Sequence, residues 1–132
     1  MSYTTAAALQ AAIHGRLTAA LDVPVLDAAP DGEPGTWVLI GPEDVRDRSD
    51  KSGAGAEHRL VLTVRSDAEG FLRAKGVAGA ICDALAAPMQ MTRGRIAALW
   101  FDRAVARRED AGRTRRIDLT FRARVEDSTG EA

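Results

Sequence analysis

The chain has 132 residues, 45% of them hydrophobic, and its 18 Lys+Arg nearly balance 19 Asp+Glu for a formal net charge of −1. This is enough apolar mass for one domain with a true core, which excludes global disorder, while the neutral balance lacks the positive excess usual in tight nucleic-acid binders. A single cysteine, Cys82, excludes an intrachain disulfide and a cysteine-rich zinc site, and no apolar run reaches the roughly 18 residues of a membrane span.

The first residues, Met1 to Thr5, lack the basic and apolar regions of a secretion signal. The expectation is one soluble cytosolic domain over residues 1–126, with residues 127–132 as a flexible tail. Thr4 or Thr5 is the expected N-cap of a first helix, along which Leu9, Ala12, Ile13, Leu17, Ala20 and Leu21 recur at helical spacing. Asp22 and Pro24 end it. Residues 23–26 form a short strand, and residues 27–36 a loop built on Pro30, Gly32, Pro34 and Gly35. Trp37-Val38-Leu39-Ile40 is a short apolar run suited to a buried strand. The polar stretch 41–56 begins as an extension of that strand and ends in a glycine-rich, mobile tip.

Residues 58–66 alternate as a strand, with Leu60, Leu62 and Val64 on one face. Asp67 is the expected cap of a second helix over residues 68–87, whose apolar arc holds Phe71, Ala74, Val77, Ala78, Ile81, Cys82 and Leu85; Pro88 closes it. Residues 89–92 read as a short strand turned by Arg93-Gly94, and 96–107 as a strand with apolar residues on both faces. Glu109-Asp110-Ala111-Gly112 makes a hairpin loop. The return strand, 114–125, sets Ile117, Leu119, Phe121, Ala123 and Val125 against outward Arg116, Asp118, Thr120, Arg122 and Arg124. The predicted order α-β-β-β-α-β-β-β gives an α+β fold, a largely antiparallel sheet with two helices packed on one face.

No residue pattern here points to catalysis, a metal or a cofactor. His14 and His58 sit on different elements without metal spacing; His14 reads as a boundary residue of the helix, and His58 as ending the sheet or meeting a neighbour. Cys82 lies on the apolar arc of its helix, as a small buried hydrophobe would. Lys51-Ser52-Gly53-Ala54-Gly55 lacks the glycine before the lysine and the helix after the serine that a phosphate loop requires. Glu43, Asp44, Asp47 and Asp50 are interleaved with Arg46, Arg48 and Lys51. That mixture neutralises itself on a solvated loop, or docks in register on a neighbouring copy. Glu109, Asp110, Arg113 and Arg115 form a second charged cluster at the hairpin. All but Lys51 and Lys75 of the basic residues are arginine, a side chain suited to interfaces and phosphate, though codon bias in a GC-rich genome gives the same excess. Arg116, Arg122 and Arg124 make a stripe on one sheet face, which is solvated, lines a lumen that polyanion passes, or meets a subunit.

The opening helix from Ala7-Leu9-Gln10-Ala11, the strand Trp37-Val38-Leu39-Ile40-Gly41, the segment Ser52-Gly53-x-Gly55-x-Glu57-His58-x-Leu60-x-Leu62-x-Val64 and the closing Gly112-Arg113-Thr114-Arg115…Leu119-x-Phe121-Arg122 together resemble the tail-completion, or tail terminator, proteins of long-tailed phages and of alphaproteobacterial gene transfer agents. The resemblance implies a structural, non-enzymatic protein forming a hexameric ring. Such a ring caps the head-proximal end of the tail tube, ends tube growth and joins a head-side stopper or connector, with DNA crossing the lumen in weak contact and no membrane involved. The interface candidates are then Glu43 to Lys51 and Glu109 to Arg115. Another head–tail joining component, a tube subunit, or a small α+β enzyme or ligand-binding domain are the alternatives.

Overall fold

A computed structural model describes residues 2–30 and 34–127. A 3-10 turn, Ser2–Thr5, leads into α1 (Ala6–Ala20); β1 (Val25–Leu26), β2 (Thr36–Asp47) and β3 (Ala54–Ser66) follow, then α2 (Leu72–Ala86), β4 (Arg95–Glu109) and β5 (Thr114–Asp127). The strands form one five-stranded sheet in the order β1-β2-β3-β5-β4. Only the β1–β2 pair is parallel. This is the expected α+β architecture.

The sheet is built outward from β3 and β5, which pair antiparallel without a break from Ala54↔Asp127 to Ser66↔Arg115. Period-2 alternation sends Leu60, Leu62 and Val64 of β3, and Ile117, Leu119, Phe121, Ala123 and Val125 of β5, to one face. All eight are buried. Both helices cover that face. Leu9, Ile13 and Leu17 of α1, four residues apart, join Ala74, Val77, Ile81 and Leu85 of α2 in the same core, as a 3.6-residue repeat demands.

A buried-face arginine locks the two helices. Arg16, on α1, donates to the carbonyls of Ala84 (2.8 Å), Ala87 (3.3 Å) and Pro88 (2.8 Å) at the end of α2. Those carbonyls have no partner within the helix, and a cation there also meets the negative end of the helix dipole.

The structure differs from the sequence reading at the helix caps. Thr5 precedes α1 in a helical conformation (φ −92°, ψ −1°) and makes no side-chain cap, because the 3-10 turn already leads into the helix. Thr5 is buried instead, and the Thr4 hydroxyl donates to Asp127 at 3.1 Å. α2 starts at Leu72 rather than at 68, with Phe71 in the cap position. The Asp67 carboxylate is engaged elsewhere, accepting the Gly35 N–H at 2.9 Å and tying the loop before β2 to the end of β3. Residues 89–92 form no strand; Met89 and Met91 pack against the core instead of pairing. β2 is longer than the apolar run, continuing through Asp47 past a bulge between Ile40 and Glu43. Asp127 is the last residue of β5, accepting from Arg93 at 2.9 Å. The expected tail residues 128–132, and Gly32 of the expected loop turn, lie outside the described residues.

Two turns rest on unusual backbone. Gly94, at φ +72°, lies where an added Cβ would come within 2.6 Å of the Glu126 carbonyl oxygen and 2.8 Å of Thr5 Cγ2. The β4–β5 hairpin holds Asp110 at φ 53° and Ala111 at φ 56°, the doubly left-handed conformation that matches strand twist. The Asp110 carboxylate supports the turn by accepting from Thr114 (3.0 Å) and Arg65 (3.1 Å), whereas Ala111 carries the left-handed penalty of about 1 kcal/mol.

Three stability changes follow, each measurable by urea unfolding. Arg16→Ala should cost about 1–3 kcal/mol by stranding the α2 carbonyls. Gly94→Ala should cost at least ~2 kcal/mol through steric conflict and positive φ. Ala111→Gly should instead stabilise by about 1 kcal/mol. Unchanged midpoints in all three would contradict this account of the packing and turns.

Candidate functional site

The charged residues singled out in the sequence divide between two hairpin tips and one sheet face. The β2–β3 tip, residues 48–53, is fastened by the Asp50–Gly53 bridge and by Ser52, whose N–H (2.8 Å) and hydroxyl (2.6 Å) both donate to Asp50. The Ser52 hydroxyl, followed by its N–H, holds the Asp50 carboxyl below the usual carboxylate range. Arg48, Asp50 and Lys51 are exposed there.

Glu43, Asp44, Arg46 and Asp47 belong to β2, where alternation splits them between faces. Glu43 and Asp47 turn toward the helix side. Glu43 Oε2 lies 2.9 Å from Nδ1 of the fully buried His58. Asp47 accepts from the Ser2 hydroxyl and from the Ser49 hydroxyl at 2.7 Å, and these two bonds, Ser2 first, lower its pKa. Asp44 and Arg46 face outward and share a shallow basin with Arg48, Glu57, Arg59 and Arg122. His58 does not end the sheet; it sits inside on the face of Leu60 and Leu62 and meets a neighbour, the carboxylate that borders the bulge. His14 is exposed, as a boundary residue should be, with Nε2 3.2 Å from the Val25 carbonyl oxygen.

At the other end of the sheet, the β4–β5 tip carries Asp110 and Arg113 exposed, with Glu109 and Arg115 half-buried. Arg113 donates to the Asp110 carbonyl (3.2 Å) and Arg115 to the Gly112 carbonyl (2.9 Å). Because β3 and β5 are antiparallel partners, the two tips lie at opposite ends of strands 13 and 14 residues long. At about 3.3 Å per residue the separation is roughly 40 Å. They cannot meet in one site within a subunit.

The outward arginine stripe is less basic than one strand suggests. Arg116 binds Asp118 at 2.9 Å and Glu109 at 3.2 Å; burial opposes its charge, but these two carboxylates outweigh it and raise the guanidinium pKa. Arg122 binds Asp102 at 3.1 Å and approaches Glu57 at 3.8 Å. Arg124 donates to the Arg48 carbonyl at 3.1 Å. Asp118 also accepts from Thr63 (2.8 Å) and Arg107 (3.3 Å), so one acid anchors three side chains across three strands. The sequence reading set Asp118 on the outward face but paired neither it nor Glu57 and Asp102 with the arginines. The only signal of that pairing is the position of these acids opposite arginines on neighbouring strands, which requires the register.

Burial, then the charge of Asp83, pushes the Cys82 thiol up and suppresses the nucleophilic thiolate. Among the described residues no three His, Cys, Asp or Glu side chains are grouped to hold a metal ion, and no helix is long and apolar enough to cross a membrane.

Comparison with known proteins places the chain in a family. No curated protein matches the chain. Among solved structures, 24 chains match. One of them, in the virion of a native gene transfer agent particle, is 51% identical with a TM-score of 0.84, over 95% of this chain and 99% of that one. The family model for tail completion protein gp17 matches residues 4–126. The chain belongs to the tail completion protein gp17 family.

Proposed function

We propose that this chain is a structural protein of a phage-like particle, of the gene transfer agent kind. In this reading it closes into a ring, by the family resemblance a hexamer, on the head-proximal end of the tail tube. The ring ends tube growth and presents a surface to the head-side connector. Membership of the tail completion family and the 51% identity to a chain of a gene transfer agent virion support the setting. A purely structural role follows from that setting rather than from anything missing in the fold. Assembly takes place in the cytoplasm of the producing cell, and no membrane takes part.

The observation that carries the reading is the placement of two charged, exposed tips at opposite ends of one rigid sheet. A subunit at a junction needs a contact toward each side, and loops on a rigid scaffold are where such contacts sit. Arg48, Asp50 and Lys51 at one tip, and Asp110 and Arg113 at the other, are the axial contacts, one toward the tube and one toward the connector. The outward sheet face lines the lumen. There the arginine–carboxylate pairs leave enough positive potential to guide DNA, yet neutralise most of the charge that would hold it.

Electron microscopy of the purified chain mixed with tube subunits tests this. Rings seated on tube ends and tubes of bounded length are expected. Lys51→Glu and Arg113→Glu, both exposed, should keep the circular dichroism spectrum, and one of the two should weaken tube-end binding about tenfold or more. Growth of this chain alone into long tubes would make it a tube subunit. Binding only to the connector would make it another joining component, and a monomer indifferent to both would return it to an enzyme or ligand-binding class.

A further inference from the structure

A closed ring needs two different surfaces on each subunit that fit each other, since its contacts are head-to-tail. We infer that the β4 edge around Trp100 to Arg103 seats in the groove between α1 and β1 of the next copy. This rests on the ring reading above and names its lateral contact.

The two surfaces lie at opposite edges of the sheet, which runs from β1 to β4. β4 is a 15-residue edge strand that exposes Trp100 by 42% and Phe101 by 48%. Consecutive residues of a strand point to opposite faces, so these two rings straddle the edge. Aromatic residues half-open to water on an edge strand are unusual in a chain that acts alone. At the far edge, Ala7 and Ala11 of α1 with Val25, Leu26 and Ala28 line a groove of about 760 Å³. Small side chains make it wide enough to admit an aromatic ring, and its walls are mostly apolar.

Charge matches as well. Glu126 holds Arg95 and Asp118 holds Arg107, leaving Arg103 and Arg108 of β4 outside the ion pairs among the described residues, whereas the groove, lined also by Gln10 and His14, holds Asp27 and no lysine or arginine. Arg103 and Asp27 are exposed and enter no ion pair among the described residues. Each is what the other's edge lacks. Like edges would repel, which disfavours two-fold pairing and favours head-to-tail closure.

Plain strand addition is blocked on both sides. β4 bulges between Ile96 and Ala98 and again between Phe101 and Arg103, and bulges turn an edge away from further pairing. At the far edge β1 is only two residues long, and His14 already occupies the Val25 carbonyl. The joint is therefore made by side chains, with Trp100 and Phe101 as the apolar anchors and Arg103–Asp27 as the charge lock.

The test follows ring formation on tube ends by electron microscopy and native mass spectrometry. Trp100→Glu should reduce ring formation roughly 30-fold, with an unchanged circular dichroism spectrum because the side chain is half-exposed. Arg103→Asp and Asp27→Arg should each reduce it about tenfold, and combining them in one chain should restore it to within about threefold. Arg103→Cys with Asp27→Cys, in a Cys82→Ser background, should give a ladder of disulfide-linked oligomers that ends at the ring. Trp100→Glu or Arg103→Asp proteins that form normal rings would overturn this contact and leave the ring standing. Rings that persist but no longer hold the tube would assign the β4 edge to the tube subunit, overturning it too. A wild-type chain that forms no ring at tube ends would overturn the ring reading itself.

Discussion

The unbroken pairing of β3 with β5 is the constraint on which the rest of the molecule depends. Thirteen residue pairs run from Ala54↔Asp127 to Ser66↔Arg115 with no bulge. A slip of one residue would carry every side chain of a strand to the other face, placing arginines under the helices and leucines in water. The ladder thus decides which face receives α1 and α2 and which carries the arginine–carboxylate network. It also holds the two charged tips roughly 40 Å apart at its ends, and places the edges β1 and β4 on its flanks. Irregularity is confined to the outer strands, where β2 and β4 bulge.

What could be read from the sequence followed from this same distinction. β5 and β3 were legible because one face of each is buried, so alternation is strict, and the arc of α2 was legible for the equivalent helical reason. The caps were not. A threonine or aspartate before an apolar run signals a cap, but Thr4 and Asp67 found tertiary partners in Asp127 and Gly35. Residues 89–92 were expected as a short strand before the Arg93-Gly94 turn, yet in the fold they form no strand and Met89 and Met91 pack against the core. The alternating apolar residues of β4 suggested cover on both faces, whereas the subunit leaves the strand largely open. The arginine stripe was placed on the correct strand face, but its neutralisation was invisible, since Asp102 and Glu57 come from other strands and meet it only through register.

The family and the virion relative point to a structural role in a particle. Charged groups lie along the outward sheet face and at two distant tips, and the buried His58 meets the partly exposed Glu43 beside the β2 bulge. A surface of paired charges can touch a moving polyanion without retaining it, as free arginines would. In the proposed ring, arginines and carboxylates placed in register would give the lumen face weak, unspecific contact with DNA. The proposed ring sets the tips along its axis, the edges around it and the sheet face inward.

The most direct measurement is tail length in particles made without this chain. Electron microscopy of such a preparation should show tubes of uncontrolled length, unattached to DNA-filled heads, with both defects reversed when the chain is supplied. Tails of normal, uniform length joined to heads in its absence would contradict the proposed role as the terminator of the tube.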